Sequence, residues 1–420
     1  MRATSRISGV LFGFFPVVLM SFSAFASGLF APLSVDSAAV LPKGVRSFRL
    51  SGFETEVDNR YDGYGAMVPL GNSFNKTVTV GQLVATRPAA EQGLLTSGLK
   101  AQGVQASDTA GASQGLVNAN ISSIIPTFGY GLTDRITVGA AIPIVHSATH
   151  VDTGWTVAGS FQDKLNAMMV DGLGPKVIAV KPLLYNVVQS QIAAYGYEPL
   201  ADESRTDIGD LNLGGKMKLF TSDAMGLALG TRVTVPTGRT ADINKLVDLA
   251  PGDGHVNASL STLADFNLTP RWVLSTSMSY TYQFTSDAAV RVPLSADSSL
   301  SPDIDHDVQV KQGDIMGGGL TAKYFFNDLM FTGVGYALQY KNPDSYEGGQ
   351  YTPNRYHYLE QDTFQFMQSS QLSLTTSTVP LYRAGVFPVP LDATIAWAHV
   401  LDSKNVSMTD IGIIEVAAYF

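Results

Sequence analysis

Stretches that alternate apolar and polar residues recur along the chain, and the connections between them alternate short and long. Few folds tolerate both alternations at once. Candidate strands lie at 44–53, 118–130, 136–146, 207–220, 226–236, 255–268, 272–284, 309–326, 329–341, 362–377, 387–401 and 406–420. The short connections are 131–135, 221–226, 268–271, Asn327-Asp328 and a proline-bearing turn around 379–386, built from the Asp, Asn, Pro and Gly that tight turns require. Two of them repeat the form Leu-Thr-x-Arg, at Leu132–Arg135 and Leu268–Arg271. The long connections are 54–117, 147–206, 237–254, 285–308 and 342–361. Bacterial membrane barrels have an even strand number, short periplasmic turns and longer extracellular loops. The expected fold is therefore all-β, an antiparallel transmembrane β-barrel of about 12 strands. Its long extracellular loops carry short helices, and both chain ends lie in the periplasm.

The stretch 272–284 states the pattern most clearly. Trp272, Leu274, Thr276, Met278, Tyr280, Tyr282 and Phe284 share one parity, against Val273, Ser275, Ser277, Ser279, Thr281 and Gln283 on the other. Strand side chains alternate faces with period two, so one face suits hydrocarbon and the other water. Aromatics at both ends of the apolar face fit interfacial girdles. The C-terminal stretch repeats the arrangement: Gly412, Ile414, Val416, Ala418 and Phe420 oppose Ile411, Ile413, Glu415, Ala417 and Tyr419. A last strand ending on an aromatic resembles the assembly signal of bacterial outer-membrane barrels, which makes Phe420 the expected signal and the barrel assembly machinery an expected partner.

Composition agrees. Only 15% of residues are charged while 45% are apolar, less charge than a soluble chain this long normally carries. Beyond residue 26 no apolar run approaches the roughly 20 residues a spanning helix needs, which leaves the closed sheet as the way to satisfy a backbone in lipid. Arg2 and Arg6, the apolar run 10–25 and Ala24-Phe25-Ala26 read as a secretory leader, residues 1–26, cleaved near Ala26. One barrel domain, 27–420, then remains. There are no cysteines, so disulfides and thiolate metal sites are excluded. Removal of the leader takes the net charge from −9 to −11, which disfavours nucleic acid as a partner.

Charges fall on the non-lipid parity of their strands: Arg49, Asp210, Lys216, Lys218, Arg232, Asp265, Lys323, Asp392 and Glu415. A charge facing hydrocarbon at mid-depth costs roughly 2–4 kcal/mol, so these are expected to line the lumen. Mixed signs leave two readings open. The charges either pair and fill a narrow barrel, or they line a wet path.

Nothing points to catalysis. The six histidines are scattered, and neither HExxH nor G-x-S-x-G occurs. Asp303, Asp305 and Asp307 could offer calcium their carboxylates, but they lack the glycine and glutamate of an EF-hand, and a solvated acidic loop is the plainer reading. No cofactor is expected. Two loops carry helical patterns. After a capping box at 160–163, Phe161, Leu165, Met168 and Met169 fall at helical spacing, and Val188, Ile192 and Tyr195 do so further on. These seven are candidates for the outer mouth. In 54–117, Pro88 could open a helix with Leu94, Leu95 and Leu99 on one face.

Three segments carry a family resemblance: Phe128-Gly-Tyr-Gly-Leu-Thr-Asp-Arg-Ile-Thr-Val-Gly-Ala-Ala-Ile-Pro143, Gly209-Asp-Leu-Asn-Leu-Gly-Gly-Lys216, and Thr234–Arg239 with Leu249–Gly254. With them the chain resembles outer-membrane proteins of the meta-pathway phenol degradation-like family, and more broadly the fatty-acid-channel barrels, though no N-terminal plug motif is evident. The resemblance implies a Gram-negative outer membrane, with its lipids as surroundings. It also implies passive passage of small hydrophobic or aromatic solutes. The rival expectation is a structural barrel with a filled lumen whose extracellular loops bind partners.

Overall fold

The computed structural model describes residues 37–420, apart from 86–88, 162, 165–188, 190–191, 297, 299 and 408–409. Twelve strands form one closed antiparallel barrel: β1 Arg46–Val57, β2 Thr109–Thr133, β3 Ile136–Ala141 continued by Ile144–Val157, β4 Glu203–Ile208 continued by Leu211–Thr221, β5 Met225–Val235 and β6 Asn257–Thr269. They are followed by β7 Trp272–Gln283, β8 Ile315–Asn327, β9 Met330–Lys341, β10 Gln365–Ser377, β11 Leu391–Lys404 and β12 Asp410–Tyr419. Each strand pairs with its sequence neighbours. The sheet closes where β12 meets β1, in register from Ser47↔Tyr419 to Glu54↔Gly412. Closure is sealed at the last residue: Arg46 N donates to the Phe420 carbonyl (2.7 Å) and Phe420 N to that of Arg46 (3.0 Å). The final aromatic side chain is 65% exposed on the outer face. Deleting Phe420 therefore removes a seam hydrogen-bond pair and the terminal aromatic. Folded, heat-modifiable protein in the outer membrane is expected to fall while export continues, and unchanged yield would remove the assembly role.

The outer surface explains why the sheet is in lipid. Met278 is 70% exposed and Ile414 64%, and Leu213, Leu260, Leu320, Val334, Leu372 and Ile395 are exposed with them. Contiguous apolar exposure on this scale marks a membrane or partner surface. Aromatic contacts border the belt, with Trp272–Tyr324 and Phe48–Phe128 at 5.0 Å on the short-turn side and Tyr282–Phe284 at 4.9 Å on the loop side. No described helix is long and apolar enough to cross a membrane.

Several boundaries differ from the sequence expectation. The stretch 309–326 is not one strand. Its first part belongs to a rim hairpin, Ser286–Arg291 with Ile304–Lys311, joined by Ser345–Glu347. The break is Gly313, where a Cβ would lie 1.8 Å from the Asn342 carbonyl. β3 and β4 are each interrupted, at 142–143 and 209–210. Proline cannot donate to a ladder, and Gly209 N instead reaches the Pro143 carbonyl at 2.8 Å, so the two breaks sit side by side. The loops carry helices α1 Val80–Ala85, α2 Ala89–Ala101 and α3 Pro353–Glu360, and the periplasmic turn carries α4 Val379–Arg383. The expected leader, Pro88, Leu165, Met168, Met169 and Val188 lie outside the described residues.

Candidate solute path and its two closures

Inward parity gives the barrel two unlike halves. Across the extracellular part of β12, β1 and β2 the inner face is largely apolar, with buried Thr55 and Ser123 as exceptions: Val57, Ala119 and Ile121 form a buried cluster with Leu249, with Phe53 and Val145 against it. Ala398, Val400, Val406 and Ile411 form a second cluster, again touching Phe53 and also Ile413. Across β6 to β10 most buried inward residues are polar, among them Asn257, Ser275, Gln283, Thr321 and Gln371, with Leu263 and Ile315 as apolar exceptions.

The charges expected in the lumen take these positions. Arg49 Nε lies 3.4 Å from Glu415 Oε1, whose other oxygen accepts from Ser51 Oγ at 2.9 Å. Tyr419 Oη donates to Asp392 at 2.7 Å. Ser275 Oγ donates to Asp265 Oδ1 at 2.6 Å. Lys218 stands opposite the fully buried Ala228, Lys323 opposite Gly333, and Arg232 opposite Ser259 and Gly214. Arg232 shares its parity with buried Ala228 and Thr234. Asp210 sits in the break between the halves of β4, extracellular to the spanning segments.

The periplasmic closure was not legible in the sequence. Residues 37–41 lie against the inner wall before β1 begins, and Pro42 and Lys43 lead out to the short turn 131–135, where Lys43 N donates to Asp134 Oδ1 (3.1 Å). Ser37 Oγ and Ala38 N both donate to Asp265 Oδ2 (2.9 and 2.8 Å), Lys216 Nζ donates to the Ser37 carbonyl (2.9 Å), and Leu41 N donates to Thr137 Oγ1 (2.8 Å). Ala38 packs in a small buried cluster with Ala228 and Leu263. Two lumenal charges of opposite sign are thus engaged by a chain segment as well as by the wall. Lys216 and Asp265, on inward faces two strands apart, were the available signal.

The extracellular closure is built from loops. Arg291, 8% exposed, donates to the carbonyls of Ile243, Tyr195, Ser301 and Gly196 and to Asn244 Oδ1, at 2.7–2.9 Å. Its guanidinium also lies 3.9 Å from the Tyr197 ring centroid. One side chain therefore joins the rim hairpin to loops 147–206 and 237–254. A lone cation in the apolar stretch Ala288–Leu294 was its only sequence trace. Arg239 repeats the device, reaching Asp207 at 2.9 Å and both oxygens of Asp248 at 2.6 and 2.8 Å. Hydrogen bonds donated to Asp248, then to Asp207, hold this guanidinium above its ordinary pKa. Of the mouth candidates, Phe161 is buried against Val80, Leu99, Val104 and Ala110, and Ile192 against Tyr197, Leu200 and Leu246, with Tyr195 beside it. These side chains are spent on loop packing. The acidic triplet is engaged too: Asp303 pairs with Arg355 at 2.8 Å, and Asp305 accepts from Tyr356 Oη.

Loop 237–254 is pinned at both ends on one carboxyl. Asp210 Oδ1 accepts from Gly238 N (2.8 Å) and Oδ2 from Asp253 N (3.1 Å). Gly238 and Gly252 meet so closely that a Cβ on Gly238 would lie 2.9 Å from the Gly252 Cα. Burial, and the neighbouring Asp253 carboxyl, push Asp210 up to about 6, and burial raises Asp253 as well. The closed loop therefore holds a proton that an opened, solvated loop would release. Between the ordinary carboxyl value and about 6, closure weakens as pH rises. Hydrogen exchange at the Gly238 and Asp253 amides is expected to be slower near about pH 5 than near about pH 7.5, after correction for intrinsic rates. Equal protection would show that the pair does not latch the loop.

Residues 100–378 match the family described as putative MetA-pathway of phenol degradation. The chain belongs to this family. No curated protein matches it. Among solved structures, the COG4313 outer membrane channel from Pseudomonas putida F1 is similar over 93% of this chain and 99% of its own, with 13% identity and a TM-score of 0.52. A Pseudomonas aeruginosa FadL homologue (10% identity, TM-score 0.34, 97% and 95% covered) and the Ralstonia pickettii toluene transporter TbuX (11%, 0.35, 90% and 90%) also match. The first of these likenesses shows the fold. This member of the phenol-degradation family is a closed 12-stranded antiparallel β-barrel with an apolar outer belt.

Proposed function

We propose that the chain is an outer-membrane channel for passive passage of small hydrophobic or aromatic solutes. The observation that carries this reading is the apolar half of the inner wall, where Phe53, Ile121, Ile411 and Ile413 face inward in a barrel whose lipid side is separately apolar. In the closed state these side chains are covered by Leu249 and Val406, and opening of the loops turns them into an apolar surface along the path. The similar structure named an outer membrane channel supports the same reading. Passage requires two movements, withdrawal of residues 37–43 and opening of the loops tied by Arg291. Export through a leader ending near Ala26 and insertion by the barrel assembly machinery complete the account.

The rival reading, a filled structural barrel, is favoured by the inner pairs Arg49–Glu415 and Tyr419–Asp392. Uptake separates them. A Gram-negative host lacking its own aromatic channels, expressing the full chain, is expected to take up radiolabelled toluene faster than the same host without it. Equal rates at equal barrel yield would favour the filled barrel.

A further inference from the structure

The short turn between β10 and β11 is unlike the other four. It runs from Thr378 to Pro390 and presents apolar side chains where the others present polar ones. Val386 is 72% exposed, and Tyr382, Phe387 and Val389 are exposed with it. The display is ordered. Thr378 closes the neck, its N donating to the Leu391 carbonyl (2.7 Å) and its Oγ1 to that of Val389 (2.7 Å). Helix α4 then ends on Gly385 at φ +71°, with Val386 N donating to the Leu381 carbonyl (2.9 Å) and Gly385 N to that of Tyr382 (2.9 Å). This Schellman arrangement frequently folds the apolar residue after the glycine back onto the helix. Here Val386 is left outside.

The exposed row continues the outer belt of the barrel. Leu391 stands opposite Ala418, and Tyr419 N donates to the Pro390 carbonyl (3.0 Å), so the same register carried on sets Val389 beside Phe420. Both side chains are exposed. Along β11 the same parity runs through Ala393 and Ile395 to Trp397, on the outer face. Charge fits the same surroundings. From Thr378 to Leu391 there is no acidic residue and one cation, Arg383, whereas three of the other short turns carry an aspartate, Asp134, Asp223 or Asp328. An apolar face with a basic residue at its edge matches the boundary between acyl chains and headgroup phosphates. We propose that residues 379–389 are an interfacial anchor lying in the periplasmic leaflet of the outer membrane. Tyr382, Val386 and Phe387 sit among the upper acyl chains, and Arg383 faces phospholipid phosphate. The anchor rests on the outer-membrane reading and adds a lipid contact beyond the strands, beside the strand that closes the barrel.

A chain without native cysteine allows the depth of single positions to be measured. Nitroxide labels are attached to the full chain at Val386→Cys and Phe387→Cys in the turn, at Ile395→Cys in the belt and at Asp328→Cys in another short turn. Each labelled protein is reconstituted in phosphatidylethanolamine vesicles containing phosphatidylglycerol, with folding read by heat-modifiable migration. Collision with oxygen against collision with a water-soluble nickel chelate gives the depth. Position 387 serves if the variant at 386 does not fold. Labels in the turn are expected about 5–10 Å inside the headgroup boundary, with 395 deeper and 328 in water. Aqueous readings in the turn with 395 still deep would overturn the anchor, whether the turn meets solvent or a protein partner. An aqueous reading at 395 would overturn the outer-membrane reading, and the anchor with it.

Discussion

Val233→Arg is expected to prevent normal insertion, while Arg232→Ala, one residue away, should leave barrel yield close to wild type. The depth of Val233 follows from the register. A continuous outward row runs from Phe128 through Ala140, Leu213, Val233 and Ala258 to Tyr282. It begins at the aromatic girdle near the short turns and ends at the girdle near the loops, so Val233 lies within the hydrocarbon band. Val233 is 42% exposed there, with lipid as its surroundings. An arginine facing lipid costs about 2–4 kcal/mol at mid-depth and about 0–1 kcal/mol near the interfaces. Val233, two residues from the loop end of β5, falls between these limits, still a sizeable share of the roughly 5–15 kcal/mol that holds a typical protein folded. Arg232 points the other way, and its removal exposes no charge to hydrocarbon. Heat-modifiable migration and outer-membrane yield check both variants. Equal tolerance would mean that β5 is out of register by one residue, a slip that exchanges every side chain between faces.

The barrel was legible because its rule is local. Period-two alternation in 272–284 and 406–420 assigned faces that the structure keeps: Met278 and Ile414 are exposed, and Ser275 and Ile411 are buried. Alternating connection lengths then gave the strand number. The rim was less legible. Residues 309–311 continue the alternation of 315–326, and only the contact between Gly313 and the Asn342 carbonyl separates them, which is a long-range fact. The same holds for Arg291, whose five acceptors come from segments 10 to 96 residues distant. No spacing rule collects them. The segment 37–43 was missed for a related reason: it carries no motif of its own, and its engagement is written in the strands, in Asp265, Lys216 and Thr137. Composition could state that inward charges need partners but could not name the partners.

The segment 37–43 follows the wall along β3 to β6, and in the channel reading its withdrawal opens the path. The geometry allows it to be fastened there. A Cβ on Gly226 would lie 3.5 Å from the Cβ of Ala38, within the range that disulfides span, and the chain has no native cysteine to compete. An Ala38→Cys, Gly226→Cys double variant should therefore form one intramolecular bridge between the segment and β5. Each single variant controls for the loss of Gly226 and for changes in barrel yield. Toluene uptake by cells carrying the double variant, before and after mild reduction, is the deciding measurement. Uptake is expected at the channel-free level in the oxidised state, with recovery to that of the single variants on reduction. Uptake that is the same in both states, with the bridge verified by mass spectrometry, would contradict it.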